Sequence, residues 1–203
     1  KVGFDILIAL GLFVLGCGAM LLLHLFGTMS IWLKFLAGRN PREFFVQIKD
    51  VLVTAFSTSS SSATLPAALA ACRERLGIAP STAGFVMPLG TTMNMSGTAL
   101  YEGCVVLFVA QVFGVHLGLA EQVTLVFLSV LSAVAVAAIP GGSLPLIAGL
   151  LVAFGIPPEG IGIILGVDRL LDMTRTMTNV GSDMVTTAVV DARQRATGHA
   201  GRV

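Results

Sequence analysis

The chain has 203 residues, of which 55% are hydrophobic and only 11% charged, with a formal net charge of +1. Soluble domains carry about 25% charged residues, so this composition makes an integral membrane protein the default class. A near-neutral balance, with no basic stripe interleaved with aromatics, excludes a nucleic-acid partner.

A membrane span needs about 20 apolar residues. Phe4 to Phe26 supplies them, which predicts a membrane helix over residues 1–33 with Trp32 and Lys34 as interfacial anchors. The stretch is too long for a signal peptide and has no cleavage site. Because the chain opens on Lys1 directly into this helix, it reads as the C-terminal part of a longer protein. Lys34, Arg39 and Arg42 then mark a cytoplasmic loop.

Residues 41–77 hold two short apolar arms, Phe44–Phe56 and Ala63–Cys72, around Ser57-Thr58-Ser59-Ser60-Ser61-Ser62, and they return to Arg73 and Arg75. Neither arm can span a bilayer. The pattern predicts an inner re-entrant hairpin, since backbone at membrane depth is tolerated only against protein or water. A flexible linker is the plainer reading of the serine run. As a hairpin tip, its hydroxyls and free N–H groups at a helix N-terminus suit a carboxylate.

Residues 82–115 form a long apolar stretch broken by Asn94-Met95-Ser96-Gly97-Thr98, which predicts an unwound membrane helix. Thr92, Asn94 and the carbonyls freed near Gly97 are hard oxygen ligands for a cation that Asp183 could neutralise; a kink with satisfied side chains is the alternative. Glu102, in apolar surroundings just beyond the break, is a candidate proton carrier, or else it reaches a cavity without titrating.

Residues 122–157 repeat the hairpin theme around Pro140-Gly141-Gly142-Ser143-Leu144-Pro145, with outer ends poor in basic residues, as expected of an outer hairpin. An ordinary turn is the competing reading; the position between half-spans favours a gate. The last helix, residues 160–193, runs to Arg193, Arg195 and Arg202, which predicts a cytoplasmic C-terminus. Along it Asp168, Asp172, Arg175, Thr176, Asn179 and Asp183 fall within an arc of roughly 100°, a single polar stripe. Charges inside a span face a protein interior or a watery path, so the stripe is the candidate site. Arg175 can bind a carboxylate through two parallel hydrogen bonds, and Asp172 can accept from an ammonium group; a structural pair between the two is the plainer reading.

Two discontinuous hairpins of opposite orientation predict an all-α membrane fold of the secondary-transporter kind. Cys17, Cys72 and Cys104 have no metal or disulfide spacing and read as small buried hydrophobes. His24, His116 and His199 are scattered and receive no role. An intramembrane serine hydrolase would need a base, and no His or Lys lies near Ser57–Ser62, so no enzyme is expected.

Three ordered motifs carry a resemblance over essentially the whole chain: Ser59-Ser60-Ser61-Ser62-Ala63-Thr64-Leu65-Pro66, Asn94-Met95-Ser96-Gly97-Thr98-Ala99-Leu100-Tyr101-Glu102, and Asp168 to Asp183. Together they resemble the dicarboxylate/amino acid:cation symporters, the glutamate transporter family. The resemblance implies homotrimers in which a transport domain moves as an elevator against scaffold helices that this chain lacks. It implies a multi-pass protein of the cell (inner or plasma) membrane that imports an acidic amino acid with co-transported sodium and no organic cofactor. The substrate site would comprise Ser60, Ser61, Ser62, Thr98, Ile139, Pro140, Gly141, Gly142, Asp172, Arg175, Thr176 and Asn179. One sodium would sit among Gly90, Asn94, Asp183 and the backbone at Asn179, and a second at Thr92 with carbonyls near Ala133–Val136.

Three departures bear on this expectation. Ser96 stands where the family has a carboxylate that helps form a further sodium site, which is expected to be weakened. The arginine found before the serine triplet in archaeal members, and after the substrate aspartate in animal members, is Ser59 and Met173 here, with Arg169 a partial substitute. Glu102 occupies the position resembling the proton-carrying glutamate of animal members, so a proton is a candidate second coupling ion. Having both Asp172 and Arg175 favours an acidic amino acid over the alternatives, a C4-dicarboxylate or a neutral amino acid.

Overall fold

The computed structural model describes residues 2–198; Lys1, His199 and Arg202 lie outside them. The described residues form helices and no strand. Helix α1 (Val2–Leu23) runs through one wide π turn (His24–Thr28) into α2 (Met29–Leu36). From Ile6 to Leu36 this is a continuous apolar stretch long enough to cross a membrane, and so is Pro80–Val112. The outward side of α1 leaves Leu7, Leu12, Leu15 and Leu23 exposed, a face suited to lipid or to further apolar protein rather than water.

Asn40 caps α3 (Pro41–Gln47) by accepting from the Arg42 N–H at 3.0 Å, with Pro41 preset for the first turn. Two antiparallel segments follow, α4 (Lys49–Thr58) and α5 (Ser61–Glu74). Their reversal takes only two residues. Ser59 ends α4 in the left-handed region at φ 51°, and the extended Ser60 opens α5, its Oγ accepting from the Ala63 N–H at 3.2 Å. Ser61 and Ser62, read from sequence as part of the tip, belong to the first turn of α5. The serine run breaks the helix because serine oxygens compete for backbone N–H groups at a helix start.

The next span is broken: α6 (Pro80–Met93) stops and α7 (Ser96–Val112) restarts, with Asn94 and Met95 non-helical between them. Helices α8 (Leu119–Val134) and α9 (Leu144–Ala153) are again too short to span and meet at the Pro140–Ser143 turn. Gly141 turns at φ +69°, and a Cβ on Gly142 would strike the Ala137 and Ile139 carbonyls, so the turn demands this glycine pair. After a short turn at Pro158–Gly160, α10 (Ile161–Ala196) runs the length of the molecule.

Two apolar cores flank the polar part of α10. One gathers Leu33, Phe44, Ile48, Cys72 and Met87 against Val180, Met184, Val185 and Ala188. The other gathers Leu21, Tyr101, Val105, Val109, Leu125 and Ile147 against Ile164 and Leu171. Helices α1 and α7 pack antiparallel: Phe13 stacks on Phe108 at 4.5 Å, Cys17 meets Cys104 one turn on, and His24 reaches Ser96 at 3.1 Å. Basic residues collect at one end of the bundle, where Arg39 donates to Leu76 O (2.8 Å), Arg75 pairs with Asp50 (2.9 Å) and Arg195 pairs with Asp191 (2.9 Å).

Candidate functional site

The polar stripe of α10 lies between the two cores, and all six of its members are buried. Burial of so many polar groups is tolerable only if they are hydrogen-bonded to one another or to backbone, and most are. The Arg175 guanidinium donates to Asp172 Oδ1 and to the Ser143 hydroxyl. Asp172 Oδ2 accepts the Gly141 N–H at 3.0 Å. One ion pair on α10 therefore holds both ends of the α8–α9 turn.

Asn179 performs the same service for the break before α7. Its Oδ1 accepts the Gly97 and Thr98 N–H groups at 2.8 and 3.2 Å, and its Nδ2 donates to Thr98 Oγ1 at 2.9 Å. These are orphan donors of a helix N-terminus, satisfied here by a side chain of α10, which packs directly on α7. The two tips also touch: Ser60 Oγ donates to Ala138 O at 3.0 Å. Ser61, Thr98, Ile139, Arg175, Thr176 and Asn179 line the cleft where these pieces converge. The cleft encloses about 10 Å³, room for about one water.

Of the residues read from sequence as substrate contacts, Ser62 stands apart with an exposed side chain, its N–H 3.5 Å from Ala138 O. Pro140 is exposed at the rim of the turn, and Gly142 serves that turn's geometry. Asp172 supports the turn from below without lining the cleft.

The predicted cation residues divide likewise. Asp183 is buried, its Oδ1 accepting from Asn94 Nδ2 at 2.9 Å, while its Oδ2 has no hydrogen-bond donor. A Cβ on Gly90 would lie 2.7 Å from Asp183 Oδ1, so only glycine lets α6 approach this carboxylate so closely. An anionic oxygen beside backbone carbonyls at a helix break is a donor set for a hard monovalent cation. Thr92, expected at a second cation with carbonyls near Ala133–Val136, has an exposed side chain whose hydroxyl donates to Leu89 O at 3.0 Å within its own helix. Glu102 is fully buried, and neither of its carboxyl oxygens has a hydrogen-bond partner.

Three partners went unread in the sequence. Tyr101 donates to Asp168 Oδ1 at 2.5 Å, and its ring lies 5.2 Å beneath the Arg175 guanidinium. Ser143 receives Arg175, and Ser182 links to Ser96 at 3.0 Å. The one available signal was spacing: Asp168 and Arg175 are two helical turns apart and share a face, which calls for a common neighbour.

The model of the sodium:dicarboxylate symporter family matches residues 1–193. The chain is 39% identical over 182 residues to excitatory amino acid transporter 4 of Rattus norvegicus, covering 90% of this chain and 32% of that transporter. It is 36% identical over 190 residues to the proton/sodium-glutamate symport protein of Bacillus subtilis (strain 168), 94% of this chain and 44% of that protein. Neutral amino acid transporter B(0) of Mus musculus is 35% identical over 179 residues, 88% of this chain and 32% of its own length. The chain thus spans 32% to 44% of the length of these three relatives. With a family match over nearly its full length, the chain belongs to the sodium:dicarboxylate symporter family.

Proposed function

We propose that the chain forms the solute-carrying part of a secondary symporter that imports aspartate or glutamate with sodium and a proton. The observation that carries the reading is the buried Asp172–Arg175 pair beneath the Gly141–Ser143 turn. An acidic amino acid brings one ammonium and two carboxylates, so it can replace each partner's present contact in kind: ammonium for the guanidinium on Asp172, carboxylate for Asp172 and Ser143 on Arg175. The exchange leaves neither buried charge unpaired, which would otherwise cost roughly 3–5 kcal/mol. Because the cleft encloses only about 10 Å³, admission of solute requires one tip to swing away.

On this reading the α4–α5 and α8–α9 pairs are the inner and outer re-entrant hairpins, and Asp183 with Asn94 and Gly90 receives sodium. Glu102 is the proton carrier. The basic end faces the cytoplasm, with the C-terminus of α10 on that side. The protein resides in the inner or plasma membrane as a homotrimer built through scaffold helices, and its transport domain moves as an elevator. A relative named an excitatory amino acid transporter and another named a proton/sodium-glutamate symport protein support the solute and the ions.

Uptake of labelled aspartate by the full-length protein in vesicles, with sodium and pH varied independently, tests the reading. Accumulation against a gradient that vanishes without sodium is expected, with unlabelled glutamate competing and succinate and serine competing weakly. Strong inhibition by succinate would favour a C4-dicarboxylate symporter; strong inhibition by serine, a neutral amino acid carrier.

A further inference from the structure

Two of the three cysteines, 87 positions apart in the chain, meet between α1 and α7. Cys17 and Cys104 line the same cleft, and Cys104 Sγ stands 3.7 Å from Met20 Sδ. Met20 lies one turn beyond Cys17 on α1, so both sulfurs of that helix point at the same residue of α7. The arrangement is framed on the next turn by the Phe13–Phe108 stack, which fixes the separation of the two helices. A cleft of about 410 Å³, lined by Gly16, Cys17, Cys104 and Phe108 among others, leads to the sulfurs.

The geometry points to a site for a soft monovalent cation, Cu(I), held by Cys17, Cys104 and Met20. Two thiolates and a thioether are the ligand set that selects Cu(I) over hard cations such as sodium. Sulfurs bound at about 2.3 Å around a trigonal centre stand roughly 4.0 Å apart, close to the Cys104–Met20 separation already present. A disulfide, by contrast, needs the sulfurs at about 2.05 Å. On binding, each thiol exchanges its proton for a bond to the metal; both protons pass to the buffer and no electron changes hands. The site lies two turns along α7 from Gly97, and its cleft shares no lining residue with the solute cleft.

Cu(I) titration of the full-length protein in detergent micelles, against a chromogenic Cu(I) chelator under reducing, anaerobic conditions, tests this. One Cu(I) per chain is expected, lost in Cys104→Val and in Cys17→Ala, with Cys72→Ala unchanged. Met20→Leu should weaken binding about tenfold, the order by which a supporting donor tunes a metal site. Sodium-driven aspartate uptake and a monodisperse elution profile serve as folding controls for each variant. Bound Cu(I) should also protect the half-buried Cys104 from maleimide. Absence of stoichiometric binding in a folded wild-type protein would overturn the site, as would binding that survives Cys104→Val. Isolation of the protein two hydrogens lighter, with Cys17 and Cys104 linked, would overturn it in favour of a covalent tie.

Discussion

Tyr101 donates its hydroxyl to Asp168 at 2.5 Å and at the same time lies 5.2 Å under the Arg175 guanidinium. One aromatic side chain from α7 thus braces two charges on α10, an acid through a hydrogen bond and a cation through its ring face. Tyr101→Phe keeps the ring and leaves the buried Asp168 without its donor. A loss of roughly 1–3 kcal/mol of stability is expected, together with a several-fold rise in KM for aspartate at nearly unchanged maximal rate. Thermal unfolding and uptake kinetics on the same preparation separate the two effects.

Arg175→Ala is expected to abolish uptake of acidic substrate. It also strands the buried Asp172, at a cost of roughly 3–5 kcal/mol. The double variant Arg175→Ala/Asp172→Ala should recover most of that stability while uptake stays absent. Wild-type-like aspartate uptake in either variant refutes the proposed role of the pair.

Gly90→Ala places a methyl group 2.7 Å from Asp183 Oδ1. The carboxylate must then move off the helix break, and the sodium concentration for half-maximal uptake should rise at least tenfold. Asp183→Asn, of the same shape without the charge, should do the same. Thr92→Val removes a hydroxyl that donates to Leu89 O yet keeps its lone pairs for a cation, and it should also raise the sodium requirement.

Glu102→Gln removes the candidate proton while keeping size and polarity. If the proton travels on Glu102, uptake by the native protein rises as the outside is acidified, and that dependence should flatten in the variant. An unchanged pH profile would move proton coupling to another group.

A fold of helices was legible in the sequence because its signals are local. Apolar runs of span length, serine and glycine–proline interruptions, and clustered arginines each act within a few residues. The stripe on α10 was legible for the same reason, since a helix converts spacing directly into a face. Element ends were less so. Ser61 and Ser62 look like loop by composition, yet they form the first turn of α5 once Ser60 caps it. Nor does spacing show that the Thr92 hydroxyl donates to Leu89 O within its own helix.

By itself, then, the sequence determined which stretches are apolar enough to seek a membrane, where their helices must break, and which α10 residues share one side. Only the tertiary structure decided the partners: Asn179 on the start of α7, Arg175 and Asp172 on the α8–α9 turn, Tyr101 beneath both charges, and Cys17 against Cys104. Periodicity fixes direction around one helix axis, but it carries no information on which other helix stands in that direction. That choice is made by the packing of two apolar cores around a shared polar seam, through contacts between residues some 30 to 90 positions apart.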